Sequence, residues 1–139
     1  MRAKEFFQSV RIAPDEIRRI KARQRAYIEL ATNITSAAGE MPSNTGEVHS
    51  KVEKAALGLL ELAQRLGEQA QQLERMMAEA EQVIARLANP RHRQVLSLRY
   101  VERKRWEDIA VEMGYADPRS ATYAHGRALQ AAERVMRRA

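Results

Sequence analysis

The 139-residue chain contains no cysteine, one Trp, four Tyr and two Phe, and only six Gly and four Pro. Without cysteine there is no disulfide framework, no thiol nucleophile and no Cys-based zinc site, a composition that suits a reducing compartment. No stretch approaches the roughly eighteen apolar residues that a spanning helix requires. The N-terminal MRAKEFFQSV also lacks the apolar centre of a secretory signal, so a protein that stays in the cytoplasm and meets no membrane is expected. Histidine is scarce too: His49, His92 and His125 stand in separate segments with no carboxylate at ligand spacing. No Gly-rich phosphate loop or nucleophile motif is present, so no catalytic residue, metal or cofactor is assigned and a non-enzyme is expected. His125 is expected to pack beside neighbouring helices rather than to bind metal.

What the chain has instead is charge and helix-forming residues. Charged side chains make up 30% of it, and Ala, Glu, Arg, Gln and Leu are abundant, the composition of long helices and coiled coils. An all-α protein follows. The net charge of +6 is unevenly placed. Residues 1–45 carry eight basic and five acidic groups, residues 46–88 five and seven, and residues 89–139 eleven and six, so the C-terminal third is the basic end. A basic surface attracts phosphate backbones, anionic lipid or acidic proteins without choosing among them.

Residues 48–87 carry the clearest periodicity. Alternating steps of four and three give Val48, Val52, Ala55, Leu59, Leu62, Leu66, Gln69, Leu73, Met76, Ala80, Val83 and Leu87, a heptad seam with Gln69 as its one polar member. A helix of this length spans ~60 Å and must pack along another rod. Gly58 and Gly67 lie off this seam. Upstream, Pro14-Asp15-Glu16 reads as a first helical turn, followed by Ile17, Ile20, Gln24, Tyr27 or Ile28, Ala31 and Ile34, which predicts a helix over about 14–37. The linker GEMPSNTG at 39–46 is short, which makes the rods antiparallel, and Asn44 with Glu47 forms a capping-box-like start for the second rod. This register leaves Leu73–Leu87 uncovered. Phe6, Phe7 and Val10 in a short leading helix, or a second subunit in a homodimer through the rod, are the two candidates to cover it.

Asn89-Pro90 interrupts the pattern as cap and first helical residue, which sets a boundary between a helical hairpin rod, residues 1–88, and a C-terminal domain, residues 89–139. Three helices fit the latter. The first carries Val95, Leu96, Leu98 and Tyr100. The second runs from about Trp106 to Met113 and turns Trp106, Ile109, Ala110 and Met113 inward, leaving Glu107 and Asp108 to complement its dipole. Gly114 breaks the chain, and the third helix starts with Asp117 as cap and Pro118 as first residue. Its inward face is Ala121, Ala124, Ala128, Leu129, Ala132 and Val135, while Arg119, Ser120, Thr122, Tyr123, Arg127 and Gln130 lie outward or flanking. Ala110 and Gly114 have the spacing of a helix-turn-helix, whose second helix enters the major groove by its N-terminal part.

RQVLSLRYVERKRWEDIAVEMGY at 93–115 followed by HGRAL at 125–129 resembles the fourth conserved region of bacterial sigma factors, a resemblance that covers residues 91 to about 135. AKEFF, ELATNIT, the heptad helix and HGRAL together are similar to phage and prophage late-gene transcriptional regulators of the ArpU and RinA type. The resemblance implies a sequence-specific DNA-binding regulator in a bacterial host cell, acting at a promoter on double-stranded DNA, with host RNA polymerase as a further partner. It places Arg119, Ser120, Thr122 and Tyr123 against bases and Arg127 nearer the backbone. Arg103, Lys104 and Arg105 fall where this motif crosses phosphates, a solvated basic loop being their alternative. Ala121 and Ala124 come one position later than in the sigma pattern, so the turn Tyr115-Ala116-Asp117 is one residue longer. A phage terminase small subunit, which joins a helix-turn-helix to coiled-coil helices for genome packaging, is the alternative function.

Overall fold

A computed structural model describes residues 2–39 and 46–138. Among them are five α-helices and no strand: α1 (Ala3–Gly39), α2 (Gly46–Ala85), α3 (Pro90–Leu96), α4 (Trp106–Met113) and α5 (Pro118–Arg138). The all-α class and the pairing of two long helices ahead of a small helical domain are as expected. The cap assigned to Asn44 lies outside the described residues.

The contacts do not divide the chain at residue 88. One compact unit comprises Met1–Pro14 with Glu74–Ala139, and the other Asp15–Leu73, so α1 and α2 contribute residues to both.

In the Asp15–Leu73 unit the two helices run antiparallel. Gln24 Nε2 donates to the Ala63 carbonyl at 3.1 Å, while Ala31 and Ala56, further along α1 and further back along α2, line the same cleft. The seam differs from the predicted one at every second position. Val52, Leu59, Leu66 and Leu73 are half-buried as expected, but the fully covered positions between them are Ala56, Ala63 and Ala70, not Ala55, Leu62 and Gln69, which are exposed. Both phases satisfy a four-three alternation. The one adopted puts methyl groups on the line of closest approach, which lets the helix axes come together and moves the polar Gln69 into solvent. Gly67 belongs to this contact: a Cβ there would stand 2.7 Å from Gln24 Nε2. A bare residue at 67 uncovers the carbonyl four residues back, and that is the carbonyl Gln24 uses. On α1, Tyr27 is half-buried and Ile28 exposed, which settles the alternative between them.

The other unit holds the main core. Phe6, Phe7 and Val10 pack with Ala80, Val83, Ile84 and Leu87, so the leading segment covers the end of the α2 seam. It does so as part of one helix that starts at Ala3 and carries Pro14 inside it, not as a separate helix ending before a new start at 14. Pro14 has no N–H to give the Val10 carbonyl, a cost of about 3 kcal/mol in a helix interior. Fully burying two Phe and a Val contributes about 1.5–3 kcal/mol each, and that long-range gain sets the helix start. Phe7 stacks on Tyr100 with ring centroids 5.0 Å apart, which ties α1 to the segment after α3. That segment, Ser97–Val101, is a wide π-helical turn in which Glu102 N–H reaches the Ser97 carbonyl at 2.9 Å, an adjustment that turns both Leu98 and Tyr100 into the core.

Candidate nucleic-acid interface

The helices α3, α4 and α5 begin and end where the local sequence signals put them. Asn89 Oδ1 accepts from Arg91 N–H at 2.9 Å and Pro90 opens α3. In α4, Ile109, Ala110 and Met113 are buried with Trp106 packed against them, and Glu107 and Asp108 stand exposed in the first turn. Gly114 takes a left-handed conformation, φ 76°, and closes α4 with two bonds: its own N–H to the Val111 carbonyl at 3.1 Å and Tyr115 N–H to the Ala110 carbonyl at 2.8 Å. This pair of bonds is a Schellman motif, and it needs a residue without Cβ at its turning point. Asp117 Oδ1 then accepts from Arg119 N–H at 2.6 Å and starts α5 at Pro118.

α5 buries Ala121, Ala128, Leu129 and Ala132 and packs Val135 at the core edge. Ala124, expected inward, is half-buried and lines a cleft instead. Ala121 faces the core, and Ala124, three residues on, sits at its rim.

That open cleft, about 630 Å³, brings together four of the eight predicted contacts: Arg119, Ser120, Tyr123 and Arg127. They fall at spacings of three and four on one face of α5, and Tyr123 is 70% exposed there. Thr122 is exposed but off the cleft, with its hydroxyl donating to the Arg119 carbonyl at 2.9 Å. Arg103, Lys104 and Arg105 are not in the cleft; they form the loop before α4. Arg103 has φ 60°, the one positive value on a non-glycine residue among those described. Lys104 Nζ is 2.8 Å from Glu112 and 3.7 Å from Glu102, and Arg105 Nε is 3.6 Å from Asp108. The Glu112 hydrogen bond holds the Lys104 ammonium above its ordinary range.

The remaining wall of the cleft is Asn89, Arg91, His92 and Tyr115, which helix spacing along α5 does not reveal. One signal was readable: the first turn of α3 has no acid, and basic side chains there oppose the helix dipole, so they need another reason to be present. Arg93, in the last turn of α3, serves the fold: its Nη1 donates to the Leu87 carbonyl at 2.6 Å and the Ala88 carbonyl at 3.2 Å. Arg91 donates to the Met113 carbonyl at 3.1 Å and lies over the Tyr115 ring at 4.9 Å, which fixes its guanidinium at the cleft edge. Burial, then Arg127 and Arg134, push His92 below the usual imidazole range. Arg91, Arg119 and Arg127 line the cleft, and their positive charges draw anions.

Away from the cleft, His125 is wedged between Tyr100 and Trp106, its Nε2 2.6 Å from the Tyr100 hydroxyl and its ring 4.8 Å from the indole. Burial, with Arg99 and Lys4, lowers His125 to about 4, and burial raises Tyr100. At neutral pH the Tyr100 O–H donates to an unprotonated Nε2. Arg99 lies over the other side of this cluster, 4.4 Å from the Trp106 ring, and donates to the Lys104 carbonyl at 3.1 Å, which braces the loop ahead of α4.

Among the described residues no group of three or more His, Asp or Glu side chains is placed to hold a metal ion, and no helix is long and apolar enough to cross a membrane. No family model, no curated protein and no solved structure matches the chain.

Proposed function

We propose that the protein is a sequence-specific regulator of transcription that binds double-stranded DNA through the N-terminal half of α5. The observation that carries this reading is the cleft in which Arg119, Ser120, Tyr123 and Arg127 of α5 face Arg91 and His92 of α3 behind a helix-turn-helix. Arginine and serine hydrogen-bond base edges and phosphates, an exposed tyrosine stacks or bonds to a sugar-phosphate, and the positive field favours the polyanion. In this arrangement Arg119, Ser120 and Tyr123 read the major groove, and Arg91 and Arg127 grip the backbone at its edges. Thr122 and the Arg103-Lys104-Arg105 loop add weaker backbone contacts, because their polar groups also serve partners within the chain. Control of phage late genes, at a promoter and in contact with host RNA polymerase, is the biological setting this proposal takes from the sigma-like sequence.

The test is selection of duplexes from a random pool by the purified protein, followed by titration at rising salt. Expected are an enriched sequence and an affinity that falls steeply with salt, with a slope set by the number of phosphates neutralised. Binding without preference among duplexes, or no binding at low salt, overturns the proposal.

A further inference from the structure

The compact unit from Asp15 to Leu73 is, among its described residues, a single pair of helices. A single layer of two helices has no interior, so only side chains on the line of closest approach are fully covered, whereas stable domains are built from at least two packed layers. Here the covered residues are the alanines Ala31, Ala56, Ala63 and Ala70. Large apolar side chains stand outside it: Ile28 is 43% exposed, Leu57 59% and Leu60 43%, and Leu30, Val48 and Leu62 are exposed as well. Ile28, Leu57 and Leu60 share one side of the pair. Leu60 lines a shallow cleft of about 250 Å³ together with Ala31, Thr32, Thr35, Ser36 and Ala56; Ile28 is one turn before Thr32 and Leu57 one turn before Leu60.

The charges say what fits over this side. On α1, Lys21 and Arg25 precede Ile28 on its stripe at spacings of four and three, and on α2, Glu53 and Glu61 stand four residues before and after Leu57. A polyanion would suit the first helix and leave the leucines of the second uncovered. A second copy suits both, because a two-fold axis can lay the basic helix of each copy over the acidic helix of the other and close four antiparallel helices around the apolar side chains. We infer that the Ile28, Leu57 and Leu60 face is a homodimer interface, closed by a second copy of this chain into a four-helix bundle. It stands independently of the DNA-binding proposal.

The test is the mass of the full chain in solution, by light scattering after size exclusion, at concentrations up to about 100 µM. Twice the 15.9 kDa chain mass is expected. Leu57→Ala with Leu60→Ala keeps helix-forming residues at both positions and is expected to weaken dimerisation at least tenfold. Leu57→Glu with Leu60→Glu is expected to give a monomer with unchanged far-ultraviolet circular dichroism. Val111→Glu, at a position 78% exposed on α4, is expected to leave the mass unchanged. A wild-type monomer throughout, a ring of many subunits, a dimer indifferent to both leucine pairs, or a monomer produced by Val111→Glu instead would each overturn the inference.

Discussion

In the Asp15–Leu73 unit the fully covered positions of α1 and α2 are alanines, while in the unit of Met1–Pro14 and Glu74–Ala139 they include Phe7, Val83, Val95, Leu96 and Ile109. The heptad spacing is the same along α2 in both. Spacing decides which face of a helix turns inward, but the number of elements that meet there decides how large a side chain can be covered. Where α3, α4 and α5 add further layers, a phenylalanine disappears from solvent; where two helices meet alone, only a methyl group does.

Breaking that contrast has its largest expected effect at Phe7. Phe7→Ala removes a ring with 0% exposure and is expected to cost about 3–5 kcal/mol in denaturant unfolding. Leu30→Ala, at 48% exposure in the other unit, is expected to cost less than about 1 kcal/mol. Equal costs would show that the two units are alike.

The next effect is pH-dependent and belongs to the larger core. His125 titrates at about 4 in the folded chain and near 6.5 when unfolded, so the unfolded state takes up the proton first. Stability from this group is fully present above about 6.5 and is lost as pH falls toward 4, by on the order of 1–2 kcal/mol once partial exposure is discounted. His125→Phe is expected to flatten that part of the stability profile; a profile with the same slope in the variant would remove His125 as its source.

Smallest are the glycines, which separate backbone need from close approach. Gly114→Ala meets open space but keeps φ at +76°, and is expected to destabilise by about 1–2 kcal/mol. Gly58→Ala, also in open space within a regular helix, is expected to stabilise by about 0.5–1 kcal/mol. Gly67→Ala gains the same helix propensity but displaces the Gln24 amide and its bond to Ala63, worth about 0.5–1.5 kcal/mol, so a net change near zero is expected. Thermal melts rank the three, and any other order contradicts the roles assigned to them.

Much of the C-terminal helices could be read in the sequence because their boundaries are local chemistry. Asn89-Pro90, Gly114 and Asp117-Pro118 cap or break the chain through bonds to residues within a turn or so. The start of α1 could not, because Pro14 also fits a first helical turn; what keeps it inside a helix is burial of Phe6 and Phe7 against residues some eighty positions away. The seam of α2 was legible in period throughout and in phase from Met76 to Leu87, but not in phase between Val52 and Leu73. Hydropathy favours Leu62 over Ala63, and only the closeness of the partner helix, recorded by Gln24 against Ala63, reverses the choice. The cleft divides the same way. Arg119, Tyr123 and Arg127 share a face by helical spacing alone, whereas Asn89, Arg91, His92 and Tyr115 reach it through packing of α3 and the turn.

The reading of α5 as the DNA-recognising helix is tested most directly by pairing Arg119→Ala with Tyr123→Ala and measuring affinity for a selected duplex and for random duplex at one moderate salt concentration. Neither side chain is in the core, so the fold is expected to be unchanged. The wild-type preference for the selected duplex is expected to fall by at least tenfold in the variant, with weaker salt-dependent binding retained through the remaining basic groups. A variant that keeps the full wild-type preference contradicts the reading.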